Sequence, residues 1–203
     1  MTPSRRRTQQ ERSAESARRL LDAAIELIAE QGFDKTTAAE IGERAGYSRS
    51  MVRARYGSKE ALLESIFGKE LDRRLLPPGD DLTGLDWVIS RVDHVTRLLE
   101  TERELMRAFC VMSFEAAGPI TSLRPWYRDW LTRYERSMAE HVRAGQLDGT
   151  VRAGVDAERA ASDFLLHGLG LVFRWTLDPD GYDLAAQFAA WRATLLAELS
   201  NPD

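Results

Sequence analysis

Cysteine is almost missing from this sequence of 203 residues, in which Cys110 is the only one. A single cysteine excludes an internal disulfide framework and is typical of a reducing compartment. Long hydrophobic runs are missing as well, since no stretch of about 18 apolar residues is present. The basic residues 1–7 are not followed by an apolar stretch, which argues against a signal peptide. We therefore expect a cytoplasmic protein without a membrane partner.

The motifs of common catalytic and metal sites are also lacking. The histidines His94, His141 and His167 show no His-x-x-x-His or Glu-x-x-His spacing, which argues against a metal site. No phosphate-binding glycine loop and no nucleophile elbow is present. Cys110 lies in an apolar run, where burial makes a thiol a poor nucleophile, so a packed thiol is favoured over a redox sensor. We expect no enzyme activity, no metal and no cofactor.

Positive charge is concentrated at the N-terminal end, although the net charge is −4. Residues 1–60 contain 12 Arg and Lys against 9 Asp and Glu, whereas residues 61–203 contain 16 against 23. A basic front on an acidic body is expected when only one end of a protein meets a polyanion such as nucleic acid. A solvated tail without a partner is the alternative explanation.

The apolar pattern predicts helices throughout, because no alternation of period two appears at any length. We predict an all-α fold of about nine helices. The clearest break in the pattern is Pro-Pro-Gly-Asp-Asp at residues 77–81. Beyond it, the predicted helices cover residues 84–100, 102–117, 122–145, 156–177 and 182–200.

Two short helices are predicted close together in the N-terminal region. Thr37 and Glu40 have the spacing of a capping box, as Thr8 and Glu11 do before the first helix. Gly46 then ends a short helix, and two residues later Ser48 is an N-cap for the next one. Two helices of about two turns joined by a tight turn are typical of a helix-turn-helix.

The second of these short helices carries three arginines, Arg49, Arg53 and Arg55. The second helix of a helix-turn-helix fits the major groove, where arginine binds guanine edges or neutralises phosphates. A solvated charged face on a helical hairpin is the less favoured alternative. The arginines at residues 5–7 form either a further arm on the DNA or a merely disordered one.

The stretch Gly-Phe-Asp-Lys-Thr-Thr-Ala-Ala-Glu-Ile-Gly-Glu-Arg-Ala-Gly-Tyr-Ser, residues 32–48, resembles the signature of the tetracycline-repressor (TetR) family. Residues 56–63, Tyr-Gly-Ser-Lys-Glu-Ala-Leu-Leu, resemble the start of that family's fourth helix. The resemblance implies an N-terminal three-helix helix-turn-helix domain with its basic arm over residues 1–60. It also implies a C-terminal helical ligand-binding and dimerisation domain over residues 61–203.

The second short helix, which would be the recognition helix, departs from the family pattern at three positions. Arg53 replaces a phosphate-contacting Tyr, Arg55 replaces a common His, and Met51 replaces a small polar residue. Since arginine makes the same phosphate contacts with more charge, DNA binding survives these changes, but base preference does not carry over. The resemblance also implies that Lys59 contacts a phosphate and that Thr37 caps its helix facing the DNA backbone. The predicted DNA-binding residues are Thr37, Ser48, Arg49, Ser50, Met51, Arg53, Arg55, Tyr56 and Lys59.

In many members of the family the last two helices pair with their twofold mates. Residues 144–156 resemble the linker before these helices, and Asp156 is predicted to cap the first of them. Both helices carry apolar stripes, which we assign to a dimer interface rather than to an internal core, the alternative. The residues assigned to the interface are Phe164, Leu165, Gly168, Leu171, Val172, Trp175, Phe188, Trp191 and Leu195.

The C-terminal helices also carry aromatic residues and methionine together with a few polar groups, as expected of a pocket for an apolar or aromatic ligand. For any one of these residues, core packing is favoured over ligand contact. Only the cluster as a whole indicates a ligand pocket. The predicted effector-binding residues are Trp87, Arg91, His94, Met106, Phe109, Cys110, Ser113, Trp126, Trp130, Phe164 and His167.

These features together predict a ligand-responsive transcriptional repressor that binds a palindromic double-stranded DNA operator as a homodimer and is released by a small-molecule effector. Two recognition helices about 34–36 Å apart are needed to bind such a palindrome. The alternatives are an activator, or a helical small-molecule-binding protein on the same scaffold with altered DNA recognition. The arginines of the recognition helix favour the DNA-binding regulator.

Overall fold

A computed structural model describes residues 8–59, 61, 72–75, 81–118 and 120–201. The predicted basic arm over residues 1–7 and most of the predicted fourth helix lie outside these ranges. The chain divides into two compact units, residues 1–77 and 78–203. Eight α-helices and one 3-10 turn lie within the described residues, which contain no strand, so the predicted all-α fold is confirmed. None of the helices in this described part has both the length and the apolar character needed to cross a membrane.

The first unit begins with three helices whose starts follow from local hydrogen bonding. They are α1 (Gln9–Gln31), α2 (Ala38–Arg44) and α3 (Arg49–Tyr56). Both predicted capping boxes are present: the hydroxyls of Thr8 and Thr37 accept from backbone N–H groups, and a glutamate three residues later accepts from each Thr N–H. Such reciprocal bonds satisfy N–H groups that would otherwise have no partner at the start of a helix.

The core of the first unit is formed by one face of α1 and the inner sides of α2 and α3. Leu20 and Ile28 of α1, Ile41 of α2 and Val52 of α3 are completely buried, and each such side chain stabilises the fold by about 1.5–3 kcal/mol. Gly42 allows α2 and α3 to approach closely, because a Cβ atom at this position would lie 2.6 Å from Cγ2 of Val52.

The described residues of the second unit form five longer helices, with α6 at their centre. They are α4 (Gly84–Thr101), α5 (Arg103–Ala117), α6 (Arg124–Asp148), α7 (Ala157–Leu177) and α8 (Leu184–Leu199), with a 3-10 turn (Thr121–Leu123) before α6. α6 packs against α4 and α7, and α4 packs against α8.

α6 continues through Gly145, where the sequence pattern predicts its end. A Cβ atom on Gly145 would lie 2.4 Å from Cγ2 of Val151 and 3.1 Å from Cα of Gly84. Gly145 therefore lets the start of α4 and the loop after α6 pack directly onto the helix. The helix ends instead at Gly149, whose φ of 83° is left-handed and favours glycine.

The connector between α6 and α7, residues 149–156, is tied to both neighbouring helix ends. The side-chain amide of Gln146 donates to the carbonyl of Val155 at 2.7 Å, and Val151 forms an isolated antiparallel bridge with Ser200 just after α8. Asp156 caps α7 as predicted, with its carboxylate accepting from a backbone N–H. One end of this unit is thus fixed by hydrogen bonds between three helix ends.

Candidate functional site

α3 is attached to the first unit through one apolar side and exposes the others. Val52 is fully buried, and Met51 and Tyr56 are half-buried. The side chain of Arg55 lies outside the described part of the chain. Four of the predicted DNA-binding residues on α3 and its N-cap are exposed: Ser48, Arg49, Ser50 and Arg53. This exposed set is polar and basic, as contact with nucleic acid requires.

The turn between α2 and α3 fixes the orientation of α3. Gly46 has a φ of +80°, which favours glycine. The N–H of Tyr47 donates to the carbonyl of Gly42 at 2.8 Å, and the hydroxyl of Ser48 accepts from the N–H of Met51 at 3.2 Å. Backbone and capping bonds therefore hold α3 against α2.

Arg44 of α2 and Arg49 of α3 are paired with carboxylates. Nε of Arg49 donates to Glu43, near the end of α2, and this bond lowers the pKa of Glu43. Both terminal nitrogens of Arg44 donate to Glu30 of α1 at 2.9 Å. Arg53, in contrast, forms no ion pair within the described residues, so its charge is available to a polyanion.

Lys59 and Thr37 are engaged within the first unit. Nζ of Lys59 donates to the carbonyls of Phe33 at 2.7 Å and Asp34 at 3.1 Å, and it lies 4.2 Å from the centre of the Phe33 ring. The hydroxyl of Thr37 donates to Glu40 at 2.8 Å, which lowers the pKa of that carboxyl. Local sequence patterns do not indicate that Lys59 anchors the turn after α1, because its partners lie about 25 residues away. An ammonium group has three donors, so one remains for a phosphate.

In the second unit, aromatic rings form a continuous series around Trp130. The centre of its ring lies 4.9 Å from Phe109 and 5.2 Å from Tyr134. The hydroxyl of Tyr127 donates to the carbonyl of Phe109 at 2.7 Å, and Trp126 packs edge-on against Tyr127 at 4.7 Å. The structure therefore brings together Phe109, Trp126 and Trp130 of the predicted effector residues.

The series continues to α7 and α8 through Phe164. Its ring lies 6.2 Å from Tyr134 and 4.6 Å from Trp191. The ring of His167 lies 4.8 Å from Trp191. Two further predicted residues, Phe164 and His167, thus lie at the far end of the same series.

Trp87 and Arg91 form a separate group on α4. Trp87 stacks on His141, with ring centres 3.8 Å apart and planes 7° apart. The guanidinium of Arg91 lies 4.5 Å from the Trp87 ring, and Arg91 as a whole residue is 5% exposed. Burial lowers the pKa of Arg91, although a guanidinium remains charged in proteins.

The remaining predicted effector residues lie on α4 and α5. His94 is half-buried on α4, and Met106 and Cys110 are buried in α5. The hydroxyl of Ser113 donates to the carbonyl of Cys110 at 2.7 Å. Burial raises the pKa of the Cys110 thiol, which disfavours the reactive thiolate.

Two cavities of the second unit are each lined by different members of the predicted effector-binding residues. A cavity of about 770 Å³ is lined by Phe109 and Ser113, and another of about 470 Å³ is lined by Phe164 and His167. Neither cavity includes Trp87. The predicted effector residues are therefore not gathered around either one.

The indole N–H of Trp130 is buried and has no hydrogen-bond acceptor within the described residues. An unsatisfied buried donor costs about 1–3 kcal/mol. An acceptor atom on a bound molecule would recover part of that cost. The indole N–H of Trp130 is therefore the donor in the aromatic series that is open to an acceptor atom of a bound molecule.

Most of the residues assigned to a dimer interface are buried within a single subunit. Gly168 and Leu171 are half-buried. The other assigned side chains are 1–8% exposed: Phe164, Leu165, Val172, Trp175, Phe188, Trp191 and Leu195. A side chain already buried in its own subunit has little area left to bury against another. Other apolar residues of α7 are instead exposed, with Leu166 63%, Phe173 39% and Leu177 66% accessible.

Comparison with known proteins identifies relatives along nearly the whole chain. The family described as bacterial regulatory proteins, tetR family, matches residues 20–66, which include α2 and α3. The HTH-type transcriptional regulator AcrR of Shigella flexneri is 28% identical over 202 residues, covering 94% of this chain and 92% of its own. The HTH-type transcriptional regulator TtgR of Pseudomonas putida is 25% identical over 215 residues, covering 92% and 91%. The structure of the SmeT–triclosan complex has a TM-score of 0.73 and 23% identity, covering 92% of both chains.

Proposed function

Because this chain belongs to the tetR family of bacterial regulatory proteins, we propose that it is a ligand-responsive transcriptional repressor. It binds a palindromic operator as a homodimer and is released by a small, largely apolar or aromatic effector. Its relatives are transcriptional regulators rather than enzymes, so regulation of transcription is the premise. Repression, binding to a palindromic operator, the dimer and the effector are proposed.

The exposed polar side of α3 is the observation that carries the proposal. Arg49 and Arg53 lie one helical turn apart, both exposed, on a helix that Val52 holds against its unit. In a helix-turn-helix the second helix enters the major groove with its N-terminal residues on base edges. α3 has the length, the charge and the rigid attachment for this role.

The dimer is proposed to form through the exposed sides of α7 and α8. On α7, exposed residues follow one another at spacings of four, three and four: Leu166, Gly170, Phe173 and Leu177. On α8 the same spacing relates exposed alanines: Ala186, Ala190, Ala193 and Ala197. Each set forms a single stripe along its helix, and small residues let a second helix approach closely. We name these two stripes together the outer face.

The effector is proposed to bind at the aromatic series of the second unit. Stacked and edge-on rings provide an apolar surface, and the Trp130 N–H provides a donor for one acceptor atom. SmeT, whose fold is similar, has been solved with triclosan. A ligand shifts a regulator only by its difference in affinity between the DNA-binding and the released conformers.

A mobility-shift titration with duplex DNA from upstream of the protein's own gene tests the proposal. We expect saturable binding that weakens as salt is raised, and release by an effector, with triclosan as the first compound tried. A promoter fusion then separates repression, in which deleting the regulator raises expression, from activation. Absence of any saturable, salt-sensitive shift would refute DNA binding and leave a helical small-molecule-binding protein.

A further inference from the structure

The ion pair between Glu43 and Arg49 lies beside the exposed side of α3. Glu43 is near the end of α2 and Arg49 is the first residue of α3, on either side of the Gly46 turn. Nε of Arg49 donates to Oε1 of Glu43. The Arg49 and Glu43 side chains are 69% and 49% exposed respectively, so the pair faces solvent.

Stability does not account for this pair. An exposed ion pair adds little, because both ions remain hydrated when apart and the long side chains lose rotational freedom when joined. The turn between α2 and α3 is fixed without it, by the φ of Gly46, the bond from Tyr47 to Gly42 and the packing of Gly42 against Val52. Another role therefore remains for the pair.

The terminal nitrogens of the Arg49 side chain remain available for hydrogen bonds. Glu43 occupies Nε, and neither terminal nitrogen of Arg49 has an acceptor within the described residues. Two neighbouring guanidinium N–H donors can bind O6 and N7 of a guanine in the major groove. Arg49 is at the N-terminus of α3, the part of a recognition helix that contacts base edges.

The charges around Arg49 also favour a base contact over a phosphate contact. Glu43 offsets the charge of Arg49 and raises its pKa, to which Glu40 of the same helix contributes. An arginine that serves only to bind phosphates is more effective without a carboxylate, because affinity for DNA of any sequence rises with the number of phosphates neutralised. Arg53, which has no ion pair in the described part of the chain, fits a phosphate contact. The paired Arg49 fits a base contact.

We propose that Glu43 is a positioning residue for sequence recognition. It holds the Arg49 guanidinium ready for a guanine and weakens the attraction of Arg49 for DNA of other sequences. Fixing a side chain with large rotamer entropy before binding reduces the freedom lost on contact. Glu43 thereby raises the ratio of specific to non-specific affinity without itself touching DNA. This inference rests on the proposed DNA-binding function.

The test compares wild type, Glu43→Gln, Arg49→Gln and the double variant. Each full-length protein first selects sites from a pool of random duplex DNA. Fluorescence anisotropy then gives its affinity for the wild-type site, for that site with single base pairs changed, and for an unrelated duplex over a range of salt. Glu30→Gln is the matched control, because it removes an equal charge whose partner is Arg44. Thermal unfolding of each variant checks its fold.

For Glu43→Gln we expect the preference for guanine at one symmetry-related pair of positions to fall about tenfold. Affinity for unrelated DNA rises, and its dependence on log salt steepens by up to about 0.9, because Arg49 is released to bind a phosphate. Arg49→Gln removes the same preference, and Glu43→Gln then causes no further loss. Glu30→Gln leaves the preference unchanged.

A Glu43→Gln variant that keeps the guanine preference overturns the positioning role. Equal losses on specific and unrelated DNA also overturn it, since they indicate a structural effect. If wild type selects a palindrome and Glu43→Gln selects the same one with equal discrimination, only this inference fails. If wild type selects no sequence, the proposed DNA-binding function fails and the inference fails with it.

Discussion

Arg53 and Arg49 lie on the same short helix, yet their surroundings give them different chemistry. The Arg49 guanidinium is held by Glu43, whereas Arg53 is exposed and has no ion pair among the described residues. A free guanidinium binds phosphates through charge, which is the same at every base pair. We therefore propose that Arg53 contributes to affinity for DNA and Arg49 to sequence specificity.

Arg53→Ala is expected to weaken binding to all duplex sequences by a similar factor. Loss of one phosphate contact makes the slope of log affinity against log salt shallower by about 0.9, which anisotropy titrations over several salt concentrations measure. Arg107→Ala, an exposed arginine of α5 in the other unit, is the control and leaves the slope unchanged. An unaltered slope in Arg53→Ala would refute its phosphate role.

The capping box of α2 predicts a pH dependence. Side-chain and backbone bonds from Thr37 lower the pKa of Glu40 from its ordinary value of 4.5. Because the folded-state pKa is the lower one, the carboxylate stabilises the fold above the ordinary value, and this contribution is lost as the pH falls through the folded-state pKa. We expect Glu40→Gln to reduce the fall in unfolding temperature below pH 4.5, as followed by circular dichroism.

Glu104→Gln is the control for that experiment. Glu104 is an exposed glutamate of α5 with no hydrogen bond within the described part of the chain. Its substitution should leave the acid-side loss of stability as in wild type. An identical acid profile for Glu40→Gln and wild type would contradict the role of the capping box.

Among the helices, the capped starts were predictable from the sequence, whereas the end of α6 was not. The caps at Thr8, Thr37, Ser48 and Asp156 follow from partners no more than three residues away. The end of α6 depends instead on Gly145 meeting the start of α4, which lies far earlier in the chain. A local rule interprets such a glycine as a helix end, whereas tertiary packing uses it inside the helix.

Gly145→Ala is expected to destabilise the second unit by about 1–3 kcal/mol. The added Cβ would meet Val151 at 2.4 Å and cannot be accommodated without moving α4 or the connector. Urea unfolding measures the change. Gly154→Ala, where a Cβ meets nothing within 4 Å, is the control with little effect. Equal stability of the two variants would show that the close approach has no energetic importance.

The candidate site shows the same limit of sequence reasoning. The helix-turn-helix and its exposed residues were predictable because turn, caps and charge are local. Most side chains in the apolar stripes of α7 and α8 are buried within one subunit. Helical spacing identifies a buried side but does not tell whether the same subunit or a partner covers it. The pairing of Glu43 with Arg49 and the anchoring of Lys59 depend on the folded backbone.

For the molecule as a whole, the outer face of α7 and α8 predicts the oligomeric state. Leu166→Glu combined with Phe173→Glu is expected to convert a dimer to a monomer, because a stable interface cannot bury unpaired carboxylates. Light scattering after size exclusion measures the mass. Operator affinity should fall as well, since a monomer contacts one half-site.

Leu147→Glu provides a matched control for the dimer. Leu147 is 91% exposed and lies on α6 rather than on either helix of the outer face, so an added charge there should leave the mass unchanged. A double variant that remains dimeric would exclude the outer face as the interface. Dissociation by Leu147→Glu alone would place the interface on α6 instead.

The tied connector after α6 has a mechanical consequence. Because Gln146 and Val151 join the end of α6 to the start of α7 and the end of α8, these helix ends cannot slide past one another without breaking hydrogen bonds. We therefore expect a response of the second unit to an effector to leave that end in place. We expect the largest displacement at residues 178–183, which connect the other ends of α7 and α8.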